Sequence, residues 1–122
     1  MQTFHHREIY TLFEELIHKP WGQHIWHPPI DIFEEEEVYR IKVDLPGVEE
    51  EKINVNVSDR ILIIAGERPF QKDIENSRVQ TCERPQGTFI RKVEFFEHLD
   101  EENIKKQFDN GVLTIIVKKT SK

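Results

Sequence analysis

The sequence predicts one small all-β domain, an antiparallel sandwich, behind a short amphipathic helix. From residue 30 onward apolar residues alternate with polar ones, as in strands that bury one face. Turn signals interrupt this pattern every 8 to 12 residues or so, at about the spacing of short paired strands. The length of 122 residues fits a single domain. Short strands punctuated this regularly favour a sandwich over a parallel sheet.

The first 28 residues differ from the rest in period. Residues 7–18 carry an apolar stripe at i, i+3, i+4, i+7 and i+8, which predicts a short amphipathic helix. The apolar stripe consists of Ile9, Leu12, Phe13, Leu16 and Ile17. Prolines and the aromatic residues Trp21 and Trp26 then indicate an irregular connection. We therefore predict an N-terminal arm at 1–28, a domain at 29–118 and a short tail at 119–122.

The first strands are marked by clear alternation. Tyr39, Ile41, Val43 and Leu45 share one face, and Leu45-Pro46-Gly47-Val48 has the residues of a type II turn. Two adjacent strands follow at 53–57 and 61–65. The second of them is apolar on both faces, which predicts a strand covered on both sides.

The second half begins with a polar loop of about a dozen residues from Gly66 to Arg78, longer than most connections in compact domains. Strands are predicted at Val79–Glu83, Thr88–Phe96, Ile104–Phe108 and Val112–Val117. Asn110-Gly111 joins the last two, because Asn-Gly readily adopts the positive φ angles of a tight hairpin.

Composition argues against several classes of partner. A net charge of −6 and a pI of about 5.5 disfavour binding to nucleic acid or to anionic lipid. No apolar run approaches the roughly 20 residues that span a bilayer, and the N-terminus lacks a secretory pattern. We expect a cytoplasmic protein. Cys82 is the only cysteine, so no disulfide forms within one chain.

No motif of an enzyme is found, and we expect neither catalytic residues, nor a cofactor, nor a metal. Cys82 has no local signature of a nucleophile, so a free thiol is the preferred interpretation. Five of the six histidines lie in the first 27 residues at irregular spacing, which favours a solvated arm over a metal site. The acidic run Glu34–Glu37 is interpreted as a solvated hairpin turn.

Arg91 stands on an otherwise apolar strand face beside Phe89 and Val93. A charge in that position either pairs with a carboxylate or lies at an edge or interface. A structural ion pair and an interface role both remain open for this residue.

Several motifs, in order and at matching spacing over residues 28–118, together resemble the small heat-shock proteins, the Hsp20 or α-crystallin domain family. They are Val43-Asp44-Leu45-Pro46-Gly47-Val48, Ile53-x-Val55-x-Val57, Ile64-Ala65-Gly66-Glu67-Arg68, Gly87-x-Phe89-x-Arg91 and Asn110-Gly111-Val112-Leu113-Thr114-Ile115. The combination is far more specific than any one motif.

The resemblance implies an immunoglobulin-like sandwich and an ATP-independent holdase, a chaperone that binds partly unfolded clients and prevents their aggregation under stress. It also implies a homodimer, in which the strand of the long loop pairs with an edge strand of the partner subunit. The implied dimer residues are Ile30, Ile32, Val79, Thr81 and Arg91. Higher oligomers are compatible with this arrangement.

The arm resembles the family's variable client-binding segment, which in this chain is the apolar stripe with Trp21 and Trp26. Packing of the stripe on its own sandwich is the alternative. The family's tail motif, Ile-x-Ile or Ile-x-Val, is not found in the five residues after Val117. We therefore expect the groove that receives this tail, placed around Val55, Val57 and Ile104, to be open to clients or to another partner.

Two other functions stay open. One is a co-chaperone adaptor similar to CS domains, which share the sandwich and dock on an ATP-driven chaperone. The other is a regulatory subunit that accepts the tail of a relative in a mixed assembly. The long loop and the Gly-Val-Leu hairpin favour the holdase over the adaptor.

Overall fold

Two four-stranded sheets form the fold in the computed structural model, which describes residues 25–68 and 87–121. The strands are β1 (Ile25–Trp26), β2 (Ile30–Glu34), β3 (Val38–Asp44), β4 (Ile53–Ser58), β5 (Ile61–Arg68), β6 (Gly87–Glu94), β7 (His98–Asp109) and β8 (Val112–Thr120). Sheet 1 has the order β1-β6-β5-β4, and sheet 2 has the order β2-β3-β8-β7. The predicted all-β sandwich is confirmed, whereas the predicted helix at 7–18 lies outside the described residues.

Alternation along the strands builds the core, as the sequence predicts. Tyr39, Ile41 and Val43 of β3 face the core, where they meet Val55 and Val57 of β4 among others. Phe89, Leu62, Ile64, Leu113 and Ile115 complete the fully buried centre. Burying each such side chain contributes about 1.5–3 kcal/mol. The contact between the inner faces of the two sheets therefore holds the sandwich together.

The two predicted tight turns are confirmed by their backbone angles. Gly47 has φ 81° and the Val48 N–H donates to the Leu45 carbonyl at 3.3 Å, as in a type II turn. Asn110 and Gly111 have φ 52° and 76°, the positive pair that a two-residue hairpin requires. The Leu45 N–H donates to the Gly111 carbonyl at 2.7 Å, which ties the two turns together.

The acidic run Glu34–Glu37 closes the β2–β3 hairpin and is exposed, as predicted. The Glu35 N–H donates to the Val38 carbonyl at 2.9 Å. Lys119 at the end of β8 contacts the Glu34 carboxylate at 2.7 Å and lies over the Tyr39 ring. Burial, with a smaller contribution from Glu34, raises the pKa of the Tyr39 phenol.

The predicted loop starting at Gly66 is wrong at its beginning. Strand β5 continues to Arg68, and Gly66 pairs with Ile53 on one side and Phe89 on the other. A Cβ on Gly66 would lie 2.2 Å from the Lys52 carbonyl oxygen and 2.5 Å from the Phe89 ring. Glycine is therefore in the strand because the backbone and the ring approach it closely.

Strand β7 begins earlier than predicted, at His98 and not at Ile104. A register shift lies between Leu99 and Ile104. The residues between them are polar, so they do not show the alternation of apolar and polar positions that predicts a strand. Asp100 organises this bulge, since its carboxylate accepts bonds from the Asn103 amide at 2.6 Å and the Glu102 N–H at 3.0 Å. The Asn103 bond first, then the Glu102 bond, lowers the pKa of Asp100.

Replacing Asn103 should raise the pKa of Asp100 toward its ordinary value of about 3.9. Because the folded-state pKa is depressed, the stabilisation is present at neutral pH and is lost as pH falls below that value. Carboxyl chemical shifts in an NMR titration of Asn103→Ala would measure the change. Gln107→Ala, on the same exposed strand, is the control; an equal change there would contradict the role of Asn103.

The first and last described strands extend beyond residues 29 and 118. Ile25 and Trp26 of β1 pair in parallel with Thr88 and Phe89, so sheet 1 starts ahead of residue 29. Strand β8 continues to Thr120, which pairs with His98. The predicted strand Val79–Glu83 lies outside the described residues.

Candidate functional site

Of the residues predicted to bind clients, Trp26 is the one that lies within the described part of the chain. The apolar stripe and Trp21 lie outside it. Trp26 packs against the core cluster, and its indole N–H donates to the Gly87 carbonyl at 3.1 Å. Its ring centroid lies 5.3 Å from that of Phe89. Trp26 therefore joins the end of the arm to sheet 1.

Arg68 holds Trp26 from the other side, a role that was not predicted from the sequence. Its guanidinium carbon lies 4.5 Å from the centroid of the Trp26 ring, and it donates to the Pro46 carbonyl at 2.6 Å. The side chain is only 6% exposed. Continuing the alternation of Leu62 and Ile64 past Gly66 would have placed Arg68 on the core side.

Among the strands of 25–68 and 87–121, β2 is an open edge of sheet 2, and it carries two of the predicted dimer residues, Ile30 and Ile32. The Pro29 carbonyl accepts a bond from Asp44 at 3.2 Å, so the 29/44 pair is hydrogen-bonded. Pairs alternate along an antiparallel ladder, so Asp31 and Phe33 bond toward β3. The backbone groups of Ile30, Ile32 and Glu34 therefore point to the open edge.

The side chains on this edge are partly apolar. Ile32 and Phe33 are 43% and 48% exposed, and they lie on opposite faces of the sheet. An exposed strand with unpaired backbone groups and apolar side chains is a template for another strand. Val79 and Thr81, the predicted partners of this edge, lie outside the described residues.

Arg91 lies on β6, next to the segment that leads from β1 to β2. Its guanidinium donates to the Pro28 carbonyl at 3.1 Å, and the His27 Nδ1 is 2.8 Å from the Ile90 carbonyl. The described partner of Arg91 is thus the backbone carbonyl of Pro28. Its place in a dimer interface stays a prediction.

The three predicted groove residues lie on neighbouring edge strands. Val55 and Val57 of β4 are 1% and 5% exposed and point into the core, whereas Ile104 of β7 is partly exposed. β4 ends sheet 1 and β7 ends sheet 2, and the two strands contact each other. Ile104 also lines a cavity of about 450 Å³ with Val38, Glu102, Asn103, Lys105, Ile116 and Lys118.

The described residues offer no cluster for metal chemistry. Within 25–68 and 87–121, no three His, Cys, Asp or Glu side chains are grouped to hold an ion. Over the same ranges, the chain forms no helix with the length and apolarity of a membrane span.

Comparison with known proteins matches this fold. The family model described as Hsp20/alpha crystallin family matches residues 31–122. The 16.9 kDa class I heat shock protein 1 of Triticum aestivum is 38% identical over 74% of this chain and 60% of its own length. Spore protein SP21 of Stigmatella aurantiaca is 34% identical over 86% of this chain and 65% of its own. The chain thus spans about three fifths of the length of these relatives.

Solved structures give the same result. The hspA protein of Xanthomonas axonopodis superposes with a TM-score of 0.70 at 34% identity, covering 79% of this chain and 96% of that one. Sequence, strand order and superposition agree on a single conclusion: the chain belongs to the Hsp20/alpha crystallin family of small heat shock proteins.

Proposed function

We propose that the protein is an ATP-independent holdase of the cytoplasm, which captures partly unfolded chains through its N-terminal arm. The observation that carries this proposal is the family match over residues 31–122, joined to an arm with an apolar stripe. An apolar stripe on an adaptable segment can contact many unfolded chains without a defined sequence. Binding of this kind requires no catalytic residue and no cofactor.

The sandwich acts as a dimerisation platform in this proposal. The open edge of β2 presents the backbone groups of Ile30, Ile32 and Glu34, and residues 79–83 of a second copy would pair with them. Exchange of one strand in each direction gives a closed two-fold dimer. Arg91 would lie near this interface.

The edge between β4 and β7 would receive an extended apolar segment. Because Val55 and Val57 turn into the core, β4 offers its backbone, while Ile104 offers a partly exposed side chain. A client or the tail of a relative fits this geometry by strand addition. If the tail of a relative binds there, the protein is a subunit of a mixed assembly.

Light scatter from a heated, aggregation-prone enzyme tests the holdase. Without ATP, we expect scatter to be suppressed at near-equimolar subunits, with a dimer or larger mass in light-scattering chromatography. Leu12→Ser with Leu16→Ser should weaken suppression severalfold, because it removes apolar contact area from the stripe.

Thr11→Ser with Glu15→Gln is the matched control in the same segment and should keep full suppression. Unchanged scatter together with a monomeric mass would overturn the proposal and favour the co-chaperone adaptor. Equal suppression of aggregation by both double variants would mean that the apolar stripe does not bind clients.

A further inference from the structure

The outer face of sheet 2, the side that points away from the core, carries four basic side chains. Tyr39, Ile41 and Val43 of β3 face the core, so alternation places the residues between them on the outer face. The same alternation along β8, together with the pairing of β8 with β7, extends this face across the sheet. Its basic residues are Arg40, Lys42, Lys105 and Lys118. In a chain with a net charge of −6, this face is therefore a local positive surface.

Lys105 and Lys118 are exposed and have no carboxylate opposite them on the sheet. Lys105 lies opposite Ile116 of β8, and Lys118 lies opposite Val38 of β3. Within 25–68 and 87–121, neither lysine forms an ion pair. The carboxylate of Asp100, which is near Lys118, already accepts two hydrogen bonds. Two ammonium groups on this face are therefore available to an acidic ligand.

Both lysines line the cavity of about 450 Å³, whose apolar walls include Val38, Ile104 and Ile116. Val38 and Ile116 are partly exposed on the outer face. Ile104 is shared with the predicted groove, whereas Val55 and Val57 lie in the core, on the other side of sheet 2. An apolar floor between two ammonium groups fits an apolar side chain that is flanked by carboxylates.

The charges on this face decide among its possible occupants. Two copies packed through the face would bring Arg40 and Lys118, on the two middle strands, together at the interface, where like charges repel. A nucleic acid would meet the carboxylates of Asp31, Asp44 and Asp109, which lie on the same face toward the other end of the strands. A short peptide segment reaches the cavity without contacting these three carboxylates. An acidic peptide segment is therefore the occupant that the charges favour.

We propose that the outer face of sheet 2 binds an extended acidic segment of a partner protein. An apolar side chain of that segment enters the cavity beside Ile116, and carboxylates on either side of it pair with Lys105 and Lys118. Exposed ion pairs of this kind are individually weak and are screened by salt, so the binding is moderate and salt-sensitive. This surface is separate from the arm and from the open edge of β2, so it adds a preference for acidic partners to the proposed holdase function.

Fluorescence anisotropy with a labelled peptide tests the proposal. The peptide is Gly-Ser-Glu-Glu-Leu-Glu-Glu-Gly with blocked ends, and it is titrated with the complete 122-residue chain. We expect binding that weakens severalfold when glutamine replaces every glutamate, when serine replaces leucine, or when salt is raised to about 0.5 M. Equal affinity for the peptide and for its glutamine version would overturn the proposal.

The double variant Lys105→Glu with Lys118→Glu should bind this peptide about tenfold more weakly, because two attractions become repulsions. Lys52→Glu with Arg60→Glu is the matched control, since it changes the net charge equally at two exposed residues that flank β4, away from this face. Ile116→Thr keeps a β-branched side chain but removes apolar contact, and it should weaken binding severalfold. Circular dichroism checks the fold of each variant. An equal loss in both double variants, or unchanged affinity in Ile116→Thr, would contradict the proposed site.

Further measurements separate this site from the other surfaces. A single-stranded oligonucleotide of matching charge should bind severalfold more weakly than the peptide, and equal affinity would mean that the face recognises charge alone, against the proposal. The arm variant Leu12→Ser with Leu16→Ser should bind the peptide as tightly as the original protein, and a loss of binding would assign the peptide to the arm instead. The mass of Lys105→Glu with Lys118→Glu should be unchanged in light-scattering chromatography; a lower mass would show that a second copy occupies the face and would overturn the proposal. If the peptide binds as expected but client aggregation is not suppressed, the acidic-segment site stands and the holdase proposal fails.

Discussion

The variant Ile32→Pro is expected to weaken the proposed dimer while leaving the sandwich folded. The Ile32 N–H points to the open edge of β2, as the bonding of the 29/44 and 35/38 pairs requires. Proline removes that donor without breaking the β2–β3 ladder. A dimer formed by reciprocal exchange has two such edges, so losing about 1 kcal/mol at each raises the Kd roughly thirtyfold.

Light-scattering chromatography over a dilution series measures this shift, and circular dichroism checks the fold. Ile32→Thr is the matched control, because it shortens the side chain but keeps the N–H on the edge. Phe33→Pro should differ from both, since its N–H bonds toward β3 and its loss destabilises the hairpin. A dimer unaffected by Ile32→Pro would mean that the edge of β2 is not the interface.

The variant Gly66→Ala is expected to destabilise the folded domain more than the same change at Gly111. The new Cβ would lie 2.2 Å from the Lys52 carbonyl oxygen, a backbone atom that cannot rotate away. Overpacking of well-packed sites costs about 1–3 kcal/mol and occasionally more, and we expect about 3 kcal/mol or above. For a domain of this size, that lowers the Tm by more than about 10 °C.

Thermal or urea unfolding followed by circular dichroism provides the measurement. Gly111→Ala is the comparison, since it places a Cβ 3.1 Å from the Pro46 Cα and imposes φ 76° on alanine. A left-handed conformation costs a non-glycine residue about 1–2 kcal/mol. The close approach at Gly66 would be contradicted if its substitution cost no more than that at Gly111.

Strands could be predicted from the sequence wherever the alternation of apolar and polar residues matches the alternation of buried and exposed side chains. Alternation in β3 and β4 identifies the core residues, and Asn110-Gly111 identifies the final hairpin. Prediction failed where a tertiary contact explains the local sequence. Gly66 suggests a loop until the Phe89 ring and the Lys52 carbonyl are in place, and the strand before Ile104 is not recognised until the bulge of β7 is seen.

The candidate functional surfaces could likewise be predicted from the sequence only in part. The motifs around Gly47 and Gly111 indicate the family, and with it the expectation of an edge at β2 and a groove at β4 and β7. The direction of the Ile32 N–H depends on its bonded neighbours, which the pairing register alone defines. The inward orientation of Val55 and Val57 follows from alternation, but their limited exposure depends on sheet 2.

By itself, the sequence determined the all-β class, the turns and the family, because alternation and turn residues act over a few neighbouring positions. Only the tertiary structure decided that Arg68 and Trp26 stack and that Gly66 lies within a strand. Each of these depends on atoms far apart in the chain, whose distances are set when the two sheets pack.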